Sequence, residues 1–181
     1  MVHNGTVPPP DEHRLLVLAD THLTEDRVDR LPQPVWRALE RATAVLHAGD
    51  VTEAALLDEL AAQVPVHAVL GNNDLGLEDR LPERLELCFG GYRLAMVHDS
   101  GARTGRELRL KRWFPDAELV IFGHSHQPLN VPSAHGQRLF NPGSPTQRRR
   151  APEATFGWIT IGPRGLRSQI LAAEGCSVQE H

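Results

Sequence analysis

Leu119-Val120-Ile121-Phe122-Gly123-His124-Ser125-His126 sets four apolar residues in front of a glycine and two histidines. The run reads as a buried strand that Gly123 breaks. In extended geometry residues two apart project to the same side, so both imidazoles can face one point. Neutral imidazole is a nitrogen donor suited to a metal ion near neutral pH. On its own such a pair is a weak signal, and its meaning depends on what other segments deliver beside it.

Upstream, residues 14–19 form a short apolar strand that ends in Asp20-Thr21-His22. A polar loop follows, and Pro34 opens a helix through about residue 42, as proline does in a first helical turn. Residues 44–48 read as a second buried strand leading into Gly49-Asp50. Thr52 is read as the N-cap of a helix running to about Gln63. The next strand, 66–70, stops at Gly71-Asn72-Asn73-Asp74. Strands alternating with helices in this way point to a parallel α/β core.

The second half changes character. Residues 84–88 and 92–97, separated by Gly90-Gly91, read as a hairpin that ends in His98-Asp99-Ser100-Gly101. A basic amphipathic helix over 107–114 stops before Pro115. After the histidine pair, 129–131, 137–140, 156–161 and 166–171 read as antiparallel strands with glycine-bearing turns. A parallel half followed by an antiparallel half predicts two packed sheets with helices outside. The expected organisation is a lead-in at 1–12, one domain over 13–172 and a tail at 173–181.

At 181 residues the chain is long enough for one domain with a real core. Its hydrophobic content of 40% and charged content of 23% are ordinary for a globular protein. A net charge of −4 argues against coating nucleic acid or an anionic membrane surface. Cys88 and Cys176 fit neither a disulfide framework nor a zinc knuckle. Pro8-Pro9-Pro10 precedes any apolar run, unlike a signal peptide, and no apolar stretch approaches the roughly 20 residues that span a bilayer. The expected location is the cytoplasm.

Five strands thus end in residues able to hold a metal: Asp20 and His22, Asp50, Asn72, His98, and His124 with His126. In open α/β sheets functional groups gather at that end of the strands. The seven nitrogen and oxygen donors exceed the needs of one tetrahedral ion and suit two divalent cations bridged by a carboxylate. Such a pair acidifies a bound water and neutralises oxyanion charge, which is what phosphoryl chemistry requires.

The ordered set Asp20-x-His22, Gly49-Asp50, Gly71-Asn72-x-Asp74, His98 and Gly123-His124-x-His126 resembles the calcineurin-like metallophosphoesterases. The resemblance covers about residues 14 to 172. With Asn141-Pro142-Gly143-Ser144 after the histidine pair, the chain is similar to the compact bacterial and archaeal phosphodiesterase branch, to which the retromer subunit vacuolar protein sorting 29 is also similar. The resemblance implies a four-layer α/β/β/α sandwich of two mixed sheets. It implies a first metal held by Asp20, His22 and His126, a bridging Asp50, and a second metal held by Asn72, His98 and His124. Asp50, Asn72 and His98 would also carry catalysis, by attack of a metal-bridging hydroxide on a phosphodiester. Manganese is the metal expected, with iron, zinc, cobalt or nickel compatible. The alternative is a catalytically weak, metal-binding interaction scaffold of the vacuolar protein sorting 29 type.

In many larger relatives a histidine follows the metal-binding asparagine and protonates the leaving group. Asn73 stands there in this chain, and an amide delivers no proton. The expected substrate is therefore a small diester, or a phosphate with an acidic leaving group. Asp74 and Asn73 are expected to orient ligands rather than bind metal. Arg148 and Arg149, in the run Arg148-Arg149-Arg150, are candidates for gripping a substrate phosphate, and a solvated charge run is the competing reading. Arg103 and Arg106 face the same choice. His47 and His67, inside apolar strands, read as satisfied buried histidines, whereas His3, His13, His135 and His181 read as solvent-exposed. The aromatics show no nucleic-acid signature, and the sequence leaves the oligomeric state open.

Overall fold

Strand β1 (His13–Leu18) shows why the apolar runs have no polar face. Leu15 and Val17 pack with Leu46, Met96, Ile121 and Ile159 on one side. Leu16 and Leu18 pack with Val35, Leu39, Leu56 and Leu60 on the other. Side chains alternate across a strand, so a strand covered on both faces must be apolar throughout. Truncating one of these fully buried leucines to alanine costs about 2–5 kcal/mol. The structure is a computed structural model that describes residues 12–174. The expected lead-in and tail fall outside the described residues apart from Glu12, Ala173 and Glu174.

After β1 come a 3-10 helix (Glu25–Arg30), α1 (Gln33–Leu39), β2 (Ala44–His47), α2 (Ala54–Ala61) and β3 (Val66–Ala68). The hairpin β4 (Arg84–Phe89) and β5 (Tyr92–Val97) follows, then α3 (Arg106–Trp113) and β6 (Leu119–Ile121). The chain continues through β7 (Leu129–Pro132), β8 (Arg138–Asn141), β9 (Thr155–Gly162) and β10 (Gly165–Ala172). One five-stranded sheet has the order β10-β9-β1-β2-β3 and the other β4-β5-β6-β8-β7. Helices α1 and α2 cover the outer face of the first sheet. Leu110 and Phe114, at the end of α3, cover Val120, Phe122 and Leu139 of the second. The two inner faces meet in the central core, giving the expected four layers.

Three expectations need correction. The sheets are not divided between the halves of the chain, because the last hairpin returns to the first sheet, with β9 antiparallel to β1 and Leu15 opposite Ile159. Strand β8 is parallel to β6, although antiparallel to β7, so the second sheet is mixed as well. Thr52 does not cap α2, whose N-cap residue is Glu53. The reason is local: Thr52 has φ 84° and its N–H donates to Asp74 Oδ1 at 2.7 Å, which takes it out of line with the helix.

The topology aims five C-terminal strand ends at one place. Strands β1, β2 and β3 run parallel in the first sheet, as do β5 and β6 in the second. The sheets are tied at those ends by the His98 ring donating to the Ala48 carbonyl at 2.8 Å and by the His124 N–H donating to Asp20 Oδ1 at 3.1 Å.

Candidate metal centre

Each expected donor sits in the turn just past a strand, and the turns are sharp. Asp20, His22, Asp50, His124 and His126 all have positive φ, between 45° and 66°. The other non-glycine residues of this kind among those described, Thr52 and Arg149, touch the same region. A left-handed residue with a side chain costs on the order of 1–3 kcal/mol, and such strain persists only where surroundings enforce it. Here the enforcement is visible in the hydrogen bonds. Asp20 N–H donates to the Gly49 carbonyl and His22 N–H to the Asp50 carbonyl, at 2.9 and 3.0 Å. Ser144 Oγ donates to the Asp20 carbonyl at 2.7 Å, and Thr146 Oγ1 to the Thr21 carbonyl at 2.6 Å.

Gly71 is required by close approach. A Cβ there would lie 2.1 Å from the Asp50 nitrogen and 2.3 Å from Asp50 Oδ1. Asp74 holds the same crossing from below, since its buried carboxylate accepts from the N–H groups of Asp50, Gly71 and Thr52 at 3.0, 2.7 and 2.7 Å. It therefore organises backbone and turns both oxygens away from the other donors.

The donor atoms converge in two groups. One ligand atom from each of Asp20, His22 and His126 lies within 4.8 Å of the others, and the same holds for Asp20, Asp50 and His98. His22 Nε2 and His126 Nε2 are 3.2 Å apart. The His126 Nδ1–H faces the Gln147 carbonyl, which leaves Nε2 as a lone-pair donor. On the other side Asn72 Oδ1 lies 3.1 Å from His98 Nε2 and 2.9 Å from His124 Nδ1. Asp50 Oδ2 lies between the groups, 3.6 Å from His22 Nε2 and 3.4 Å from His98 Nε2.

The electrostatics fit cations. Burial pushes Asp20 up to about 7, against the opposing pull of His98, and its Oδ2 is buried with no hydrogen-bond partner. Burial pushes His126 down to about 4 and lowers His22 as well, so both rings are neutral nitrogen donors at neutral pH. Burial also opposes ionisation of Asp50, but hydrogen bonds from His98 and from both N–H groups of Asn73 hold its carboxyl well below the usual range. His98 is raised: burial works against its charge, and Asp50 and the Ala48 carbonyl outweigh it. With Nδ1–H committed to Ala48, His98 Nε2 would face two oxygens lone pair to lone pair. A proton or a cation must lie between them.

All seven expected donors are thus brought into one cluster. Asn73 joins them, with its backbone and side-chain N–H groups 2.8 and 2.7 Å from the Asp50 carboxylate. The two arginines part company. Arg148 donates to the Pro152 carbonyl at 2.8 Å, within its own turn. Arg149 reaches the His124 carbonyl at 3.4 Å, and its charge acts on Asp20, His22 and His126. His67 is half-buried with its ring 5.9 Å from Phe89, His13 packs 5.3 Å from the same ring, and His135 is exposed. His3 and His181 lie outside the described residues.

Sequence reasoning offered Asn141 as a buttress rather than a ligand, and missed Ser144, Thr146 and Gln147 beside it. Asn141 Nδ2 donates to the Gly123 carbonyl at 2.9 Å, Ser144 and Thr146 hold the Asp20-Thr21-His22 turn, and the Gln147 carbonyl orients His126. His47, fully buried beneath that turn, lies 3.1 Å from Thr21 Oγ1. The available signal was the density of hydroxyl and amide residues in Asn141-Pro142-Gly143-Ser144-Pro145-Thr146-Gln147 between two apolar strands.

Comparison with known proteins places these observations. A model of the calcineurin-like phosphoesterase superfamily domain matches residues 14–163. A probable metallophosphoesterase of Methanothermobacter thermautotrophicus is 33% identical over 135 residues, which cover 74% of this chain and 77% of that protein. Among solved structures, a predicted phosphoesterase from Streptococcus pneumoniae is similar with a TM-score of 0.68 at 22% identity, over 90% of both chains. Vacuolar protein sorting 29 from Cryptosporidium parvum is similar with a TM-score of 0.72 at 16% identity, over 88% of this chain and 97% of that one. At these identities the two structures speak for the fold alone.

Proposed function

The chain belongs to the calcineurin-like phosphoesterase superfamily, and from that premise we propose that it is a dinuclear-metal phosphodiesterase of the cytoplasm. The observation that carries the reading is that two donor groups share Asp20, a buried carboxylate one of whose oxygens has no hydrogen-bond partner. Asp20, His22 and His126 would hold one divalent cation, Asn72, His98 and His124 the other, with Asp50 between them. Nitrogen and oxygen donors without thiolate suit manganese, and also admit iron, zinc, cobalt or nickel. Cations in these positions would acidify a water and offset the charge that develops on the phosphoryl oxygens.

The chain's own residues supply the rest. Arg149 stands beside the His124 turn, where its guanidinium would receive a phosphoryl oxygen. Asn73 binds Asp50 and has no proton to give a leaving group. That favours small diesters with acidic leaving groups over alkyl monoesters. No helix among the described residues is long and apolar enough to cross a membrane. The exposed free thiol of Cys88 suits a reducing compartment. Residues 13–172 are taken as a single domain.

The test is hydrolysis of bis-p-nitrophenyl phosphate against p-nitrophenyl phosphate by wild type and His98→Ala, with manganese restored after chelation. Metal-dependent diester cleavage that the variant loses is the expected result. Asn73→His should raise monoester hydrolysis relative to diester, and an unchanged ratio would remove the argument from Asn73. The second reading, a metal-binding scaffold, draws on Leu75, 82% exposed beside the metal loop, which would suit an apolar partner. Absence of turnover with every divalent metal, in a folded protein, would favour it.

A further inference from the structure

Two clefts flank the metal loops. One, of about 280 Å³, passes His22, Arg27, Arg30 and Gln147 and includes Glu174. The other, of about 330 Å³, is walled by Phe122, Ser125, Gln127, Leu129, Arg103 and Arg106. Ser125 lies between His124 and His126 in sequence, so one wall of this second cleft belongs to the turn that carries two of the donor histidines.

Charge separates the two. In the first, Arg27 lies 3.9 Å from the Asp26 carboxylate and Glu174 adds a second carboxylate. In the second, neither Arg103 nor Arg106 forms an ion pair among the described residues. Arg106 Nε is buried without a hydrogen-bond partner, and its Nη2 reaches only the Gly101 carbonyl, at 3.5 Å. Its guanidinium stands 5.1 Å from the centre of the Phe122 ring, a cation–π contact at the cleft wall. Neighbouring groups are already engaged. Arg109 donates to the Ser100 and Ala102 carbonyls, and Asp99 accepts from the Gly101 N–H at 2.7 Å. Burial, with the charges of Arg109 and Arg103, lowers the pKa of Arg106.

The Arg106 guanidinium is half-buried, with one N–H sealed from solvent and lacking an acceptor, and an anion held against it would offset that loss of hydration. Ser125 adds a further donor. Its Oγ accepts from Asn141 Nδ2 at 3.2 Å and from the Gln127 N–H at 3.3 Å, so its own proton is free to be given.

We propose that this cleft is an anion subsite, in which Arg103, Arg106 and Ser125 bind a second phosphate or carboxylate carried on the non-reacting arm of the substrate. Phe122 and Leu129 would pack the carbon chain between that group and the scissile diester. The assignment rests on the phosphodiesterase reading and narrows it to diesters with a second anionic group. Binding energy gained at such a distance from the reacting centre appears in kcat/KM.

The test compares p-nitrophenyl 4-carboxybutyl phosphate with p-nitrophenyl pentyl phosphate, using the full manganese-loaded chain. The carboxylate should raise kcat/KM by about tenfold, the value of one charge-assisted hydrogen bond. In Arg103→Gln, Arg106→Gln and the double variant, each checked for folding by circular dichroism, the ratio should fall toward one, with Arg106→Lys retaining part of it. A wild-type ratio near one, or a ratio that survives the double variant, would overturn the proposal. A second arm keeps it separate from the diesterase reading. Inorganic phosphate is titrated into the zinc-loaded chain while the Arg106 Nε–H resonance is followed by NMR. A saturable millimolar shift supports the anion site even if neither diester is cleaved, and no shift overturns it. A shift with free phosphate but no preference for the tethered carboxylate would mean a free anion binds, and would overturn the assignment to substrate.

Discussion

The seven donors fall into a deep set and an open set. Asp20, Asp50, His98 and His126 are buried, whereas Asn72 and His124 are exposed and His22 is half-buried. The deep histidines are aimed by backbone, His98 through the Ala48 carbonyl and His126 through the Gln147 carbonyl. On the open side the Asn72 amide oxygen lies against the His124 ring and reaches the deep set only through His98. Among the described contacts no backbone carbonyl aims either Asn72 or His124. Preorganised donors lose less freedom on binding an ion. The Asp20–His22–His126 position should therefore hold its cation more tightly than the Asn72–His98–His124 position.

The ligand variants break this comparison hardest. His126→Ala should remove the tighter cation and lower diester cleavage by about a thousandfold, the scale of several kcal/mol of charge stabilisation. His124→Ala should leave one tight equivalent in place. Metal content by elemental analysis and calorimetric titration separate the two, and equal losses would erase the distinction. Gly71→Ala acts on the frame. A methyl group overlapping Asp50 has to displace both loops, and a displacement of 1 Å should cost about 100-fold in activity.

The third prediction concerns what lies beneath the deep set. Burial, with the nearby His98, pushes His47 down to about 3. Between that value and the ordinary 6.5 the unfolded chain binds a proton that the folded chain does not. Stability contributed by the neutral ring is thus complete above pH 6.5 and is lost as pH falls toward 3. Between pH 7.5 and 5 the loss should be about 2 kcal/mol, and His47→Asn should flatten that slope in urea denaturation. An identical slope in the variant would show that His47 is protonated freely. The smallest effect belongs to the buttress. Ser144→Ala or Thr146→Val should weaken the tighter cation about tenfold while leaving the weaker one unchanged.

Much of the deep set was legible in the sequence because apolar runs stop abruptly at Asp20, at Asp50, at His98 and at the 123–126 turn that carries His126. A strand buried on both faces has to end where polar ligands begin. The pairing of those strands was less legible. Nothing in Thr155–Gly162 distinguishes a strand that joins β1 from one that joins β8, since the choice depends on partners more than a hundred residues away in sequence. The role of Thr52 was misread because an N-cap and a left-handed turn residue draw on the same small polar side chains. Ser144 and Thr146 carry no periodicity, and their task exists only once Asp20 and Thr21 lie against them.

The return of the last hairpin to the first sheet has a kinetic consequence. Strand β1, which carries the first ligands, is sandwiched between β2 and β9, and the Ser144 bond to Asp20 closes a loop of 124 residues. Contacts of such high order are formed late, because the entropy of closing the chain is spent before they return anything. On the ribosome, β1 to β3 emerge long before β9, so β1 waits with one edge open. Metal capture at Asp20 and His22 would thereby be coupled to completion of the fold, and a nascent or C-terminally clipped chain would hold these side chains without the geometry to use them.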